Sequence, residues 1–222
     1  MRKKFYLKDL ADSGYYFHPI FEAIYYANVK LYKCSEQKPP LNTKDPRCSI
    51  QNWLNCGFDD FIEVESSLLA YNRCFAKLLK MGEIKVTYPL IRLQVENLAV
   101  IYAETLHPFK VLYTIFHSSD TLGNDPINGN KFNKGDLLKE IDAKFGTNTY
   151  EIYKKYSKFV HPSKEQGYLA MNWRIYDGEV TVNKKDLRHY SSDMITVNQT
   201  IGKVLLAHLD NINEKIKSQS SE

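Results

Sequence analysis

The sequence predicts an all-α bundle of five to seven helices carrying a small β-hairpin. Three observations predict it. Apolar residues recur every three or four positions through most of the chain, as in Phe61, Val64, Leu68, Tyr71, Phe75 and Leu78. Proline and glycine punctuate the intervals between those runs. The segment 171–183 alternates instead, with Asp177-Gly178 at its centre, a strong two-residue hairpin signal.

The elements follow in order. A helix is expected over 14–34, with Tyr16, Ile20, Ile24, Ala27 and Leu31 on one stripe. Pro39, Pro40 and Pro46 forbid a helix through the loop 35–48. A long helix spans about 59–81, and Gly82 is a natural stop. Thr87-Tyr88-Pro89 opens a third helix, with proline in the first turn, where its missing N–H is harmless. Pro108 ends that helix after His107, and a short apolar run continues to about His117. The following segment, SSDTLGNDPINGN, is turn chemistry. A helix then reaches Phe145 and stops at Gly146. Asn148 and Glu151 suit the N-cap and third positions of the next helix. Pro162 disfavours helical backbone just before it, so that helix ends near His161. The last helix is expected over about 187–216, before a polar tail.

Composition sets the outer limits. With 222 residues and 43% hydrophobic content, one helical domain over 1–222 can bury a core, about 59–216. The first helix and the Pro-rich loop would pack on that core. The net charge of +4 is mild and spread along the chain, so charge alone does not argue for nucleic acid. Cys34, Cys48, Cys56 and Cys74 lack zinc-site or redox spacing, so free thiols in a reducing cytoplasm are expected. No apolar stretch follows the basic residues at the start, so no secretory leader is expected. No run approaches the ~20 apolar residues of a membrane span. Phosphate loops, HExxH and GxSxG are missing, and neither a metal nor a cofactor is expected.

Chemistry concentrates in two helices. Arg92 and Glu96 lie one turn apart in YPLIRLQVENLAVIYAETLH, which is otherwise nearly all apolar. They are either an intrahelical strut or polar groups of a cleft, and Arg before Glu is the weaker order for pairing. Tyr153, Ser157 and His161 share a face of NTYEIYKKYSKFVHPS, which also carries Lys155 and Lys158. His161 is either a helix-ending histidine on a loop carbonyl or an acid–base or RNA-contacting group. His18 and His107 each sit at a helix boundary, where a structural role is expected. His117, His189 and His208 belong to no constellation in the sequence.

LIRLQVEN and YKKYSKFVHPS together give the chain a resemblance to the HEPN-like families of small helical prokaryotic proteins. It covers roughly Phe61 to Ser163. The best understood members are metal-independent ribonucleases of toxin–antitoxin and phage-defence systems. They pair as dimers around an Arg-x(4–6)-His motif. Here Lys155 stands where that arginine is expected, with five residues between it and His161. Lysine supplies a point charge, not a planar fork. The resemblance implies a homodimer and RNA as a partner. It makes His161 a general base or phosphate contact and Lys155 the phosphate-neutralising cation. Arg92 and Glu96 would order the cleft, with Tyr153, Ser157 and Lys158 lining it. The competing expectation is a non-catalytic helical module that binds a protein partner, with the same polar residues as struts. The hairpin is expected to cover the region after His161.

Overall fold

The computed structural model describes residues 17–35, 50–107, 111–117, 132–160 and 184–219. His161, the hairpin expected at 171–183 and residues 36–48 of the Pro-rich loop fall outside them. The described residues form helices and no strand. In chain order these are α1 (Phe17–Ser35), α2 (Ile50–Met81), α3 (Ile84–Leu106), α4 (Val111–His117), α5 (Lys134–Phe145), α6 (Thr149–Val160) and α7 (Lys184–Gln219).

Three starts differ from expectation, the last helix beginning at Lys184 in place of about 187. The second helix begins at Ile50, nine residues early, running through Gly57. One interior glycine costs only about 1 kcal/mol, too little to end a helix. The third begins at Ile84, so Pro89 lies inside it and not in its first turn. There it forfeits one backbone bond, to the carbonyl of Lys85. The stops are where expected. Gly82 and Gly146 have φ of 85° and 64°, the left-handed region that favours glycine.

The chain divides into two compact units. Unit 1 takes Met1–Tyr15, Ser67–Ala99 and Asn133–Thr200. Unit 2 takes Tyr16–Ser66, Val100–Phe132 and Ile201–Glu222.

Unit 1 is built on apolar stripes from five helices. Leu68 and Phe75 of α2, Ile91, Val95 and Leu98 of α3, Leu138 and Ile141 of α5, Tyr156 of α6 and Met194 and Val197 of α7 are all sealed from solvent. Each such side chain contributes about 1.5–3 kcal/mol. A polar string threads this core. Gln94 Nε2 donates to Asn198 Oδ1 at 2.8 Å, and Asn198 Nδ2 donates to Asn72 Oδ1 at 2.8 Å. All three residues are buried. Sliding one helix past another would leave buried amides unpaired at about 1–3 kcal/mol each, so the string sets the register of α2, α3 and α7. α3 is not buried all round. Val86 and Leu93, seven residues apart and thus on one face, are 53% and 37% exposed.

The α5–α6 corner belongs to unit 1. Asn133 caps α5 by accepting from Gly135 N–H at 2.9 Å. A Cβ on Gly135 would meet Asn133 Oδ1 at 3.2 Å and the Tyr150 ring at 3.3 Å, so glycine serves a close approach there. The start of α6 is held differently from the expected Asn148–Glu151 box. The Asn148 carbonyl does accept from Ile152 N–H at 3.1 Å. The free N–H groups of Thr149 and Tyr150 go instead to Asp142 of α5, at 2.7 and 2.9 Å. The Thr147 and Thr149 hydroxyls also donate to Asp142, both at 2.7 Å. A carboxylate at a helix N-terminus meets both the orphan donors and the positive end of the dipole.

In unit 2, Phe21 of α1 meets Phe61 of α2 edge to face at 5.5 Å. His18 bonds Glu65 through Nδ1 at 2.9 Å, the structural role expected of it. That bond, with the charge of Glu65, raises the His18 pKa above its usual value. Buried Glu104 accepts the Leu112 N–H at 2.9 Å and so ties α4 to α3. His107 lies against the Phe132 ring. His208 of α7 is buried, and its Nε2 meets no hydrogen-bond partner.

Candidate functional site

Two clusters in unit 1 gather most of the residues singled out by sequence. The first centres on Glu96. Arg92 Nε donates to Glu96 Oε1 at 3.0 Å, and Lys134 Nζ donates to Oε2 at 2.9 Å. The Arg92 guanidinium also lies 5.7 Å from the centre of the Tyr153 ring on α6. Burial pushes the Glu96 carboxyl upward, but the bond and charge of Lys134, then of Arg92, outweigh it and hold the pKa below its usual value. The side chains are part-buried, 16% exposed for Arg92 and 21% for Glu96. Lys134 opens α5, where a cation opposes the helix dipole, and Glu96 offsets that cost.

The second cluster joins α6 to α7. Lys155 Nζ donates to Asp193 Oδ2 at 2.6 Å. The Tyr156 hydroxyl donates to the same oxygen at 2.7 Å. Lys155 Nζ also lies 2.5 Å from His189 Nε2. An ammonium can only donate, so this contact makes Nε2 the acceptor and leaves the ring proton on Nδ1. Lys155 further rests on the Tyr156 and Tyr190 rings, at 4.8 and 5.3 Å. Burial, then the negative Asp193, drive the Tyr156 pKa far upward, so the phenol keeps its proton and acts only as a donor to that carboxylate.

An aromatic nest supports this cluster. Tyr88 stacks near Phe159 at 4.6 Å and Tyr190 at 4.9 Å, and the Tyr88 hydroxyl donates to the Tyr190 hydroxyl at 2.8 Å. Tyr156 is sealed beneath. The rings come from α3, α6 and α7, so the polar groups above them stand on a packed floor.

The expected residues therefore divide. Arg92, Glu96 and Tyr153 share one cluster, and Lys155 anchors the other. Lys158 is exposed on α6. Ser157 Oγ is buried without a hydrogen-bond partner, so it does not line an open face. α6 ends at Val160, one residue before His161. Lys134, His189 and Asp193 went unrecognised in the sequence. For the last two a signal existed, because His189 and Asp193 are spaced i, i+4 on one helix face. Lys134 has none, since it meets Glu96 only through folding.

Among the described residues no group of three His, Cys, Asp or Glu could hold a metal ion. Cys74 is a free, exposed thiol. No described helix is long and apolar enough to cross a membrane. Against family models, curated proteins and solved structures the chain finds no match.

Proposed function

We propose that unit 1 carries an RNA-contacting centre of HEPN-like, metal-independent ribonuclease type, in a chain that pairs as a homodimer and serves defence or toxin–antitoxin biology. One observation carries the reading. Lys155 and Tyr156 of α6 and His189 and Asp193 of α7 assemble a part-exposed polar group, and α6 is the helix that precedes His161 in the chain. Asp193 neutralises Lys155, so this group offers positioning and proton transfer more than bulk attraction for phosphate. Arg92 and Lys134, both bonded to Glu96, supply further positive charge in unit 1. The test is RNA binding and cleavage by wild type and His161→Ala at low salt, where phosphate contacts are strongest. Wild type should bind RNA, and His161→Ala should lose cleavage while keeping its helical signal. Light scattering should give twice the 25.8 kDa chain mass.

A second reading has its own support. Arg92, Lys134 and Lys155 already pair with carboxylates, as struts would. Met81, Val86 and Leu93 of unit 1 are exposed, as on a protein-binding module. A wild type that neither binds nor cuts RNA at low salt would make this non-catalytic interaction module the better reading.

A further inference from the structure

We infer that His189 is the proton-accepting group of the proposed RNA centre, with Lys155 as its phosphate contact and Asp193 positioning Lys155. The inference rests on the RNA reading above and names a residue outside the Lys155–His161 motif.

Three features of the structure carry it. His189 is exposed, so a ribose can reach its ring, whereas the lysine and aspartate behind it are 31% and 14% exposed. The imidazole is oriented, with Nε2 turned to Lys155 as an acceptor and therefore bearing a lone pair. Lys155 is held independently of His189, by Asp193 at 2.6 Å and by the faces of Tyr156 and Tyr190. Asp193 is itself fixed by the buried Tyr156 hydroxyl at 2.7 Å. Lysine can thus give up its histidine contact without losing its place.

That freedom defines the step. On binding, Lys155 keeps Asp193 and exchanges Nε2 for a non-bridging phosphate oxygen. Nε2 then accepts the proton of the neighbouring 2′-hydroxyl. The 2′-oxygen–phosphorus bond forms as the phosphorus–5′-oxygen bond breaks. Water protonates the departing 5′-oxygen, and the hydroxide formed takes the proton back from His189. The products are a 2′,3′-cyclic phosphate and a 5′-hydroxyl, and no oxidant, reductant or further reactant is required.

The test uses the full chain with a labelled single-stranded oligoribonucleotide and its all-2′-deoxy counterpart. His189→Gln is the decisive variant, because its amide can still accept from Lys155 but cannot carry a proton. Wild type should cut the RNA and leave the deoxy strand intact. His189→Gln should lose about 10²–10⁴ in rate, the usual worth of an acid–base group. Its RNA affinity should stay within about threefold, about half of the ~1.4 kcal/mol that a tenfold change represents. Cleavage by His189→Gln at the wild-type rate, with loss only in His161→Ala, overturns this inference and leaves the RNA reading standing. A wild type that cuts no RNA at any pH overturns both.

Discussion

The Glu96 and Asp193 clusters are built from similar parts and end in different states. Each is a carboxylate gripped by two donors from other positions in unit 1. Around Glu96 both donors are cations, Arg92 from its own helix and Lys134 from α5. Around Asp193 the donors are Lys155 and the neutral phenol of Tyr156. In the first cluster the arginine is spread over the Tyr153 ring. The second leads through Lys155 to an exposed histidine. A part-buried charge is therefore not in itself a site. What distinguishes the Asp193 cluster is an imidazole, His189, that can be reached from solvent.

The largest stability effect should come from Asp193. Asp193→Ala would strand the sealed Tyr156 hydroxyl and leave Lys155 without its counter-charge, at about 3–4 kcal/mol. Urea unfolding should show a clearly lower midpoint, and an unchanged midpoint would break the claim that the Asp193 cluster rests on a buried floor.

His208 shows what burial does to a titratable group. Burial, then the charge of Lys215, lower its pKa from 6.5 to about 4. Above pH 6.5 the ring is neutral folded or unfolded, and stability is at its full value. As pH falls through 6.5 the unfolded chain takes up a proton that the folded chain refuses until about pH 4. Stability should fall across that window, by about 3 kcal/mol in total. His208→Gln should flatten the dependence between pH 7.5 and 4.5, and a slope unchanged in the variant would place its origin elsewhere.

Glu96 comes next. Glu96→Ala would leave Arg92 and Lys134 facing each other without their shared anion. The group is part-solvated, so about 2 kcal/mol is expected, below the ~3–5 of a sealed pair. The sign with pH is opposite in sense to a raised group. The Glu96 pKa is lowered, so its contribution is present above its unfolded value of 4.5 and is lost as pH falls through its lower folded value. A melting temperature equal to wild type at pH 7 would make the Glu96 cluster a surface feature.

The smallest effect should be at Lys154, whose 3.0 Å pair with Glu151 is exposed on both sides. Lys154→Ala should cost under about 0.5 kcal/mol. Placed beside Lys155→Ala, it tests whether position in the cluster matters more than the charge alone. Equal losses in the two variants would erase the distinction.

Helix existence and most stops were legible because they depend on neighbours within about one turn. The stripe from Phe61 to Phe75, the left-handed glycines at 82 and 146, and the Arg92–Glu96 pair are all of this kind. Starts were read less well. Pro89 inside α3 and Gly57 inside α2 are tolerated because packing of a long helix outweighs one local penalty. The box expected at Asn148 was replaced by Asp142, a stronger charged acceptor supplied by the turn before.

By itself, then, the sequence determined the helices of the described residues, the faces those helices bury, and a short charged pair on α3. Only the tertiary structure decided that Lys134 joins Glu96 across 38 residues, that Lys155 reaches Asp193 across another 38, and that His189 stands beside them. The physical reason is that spacing along one helix follows from 3.6 residues per turn. The register between helices follows from how their side chains and buried amides fit, here through Gln94, Asn198 and Asn72.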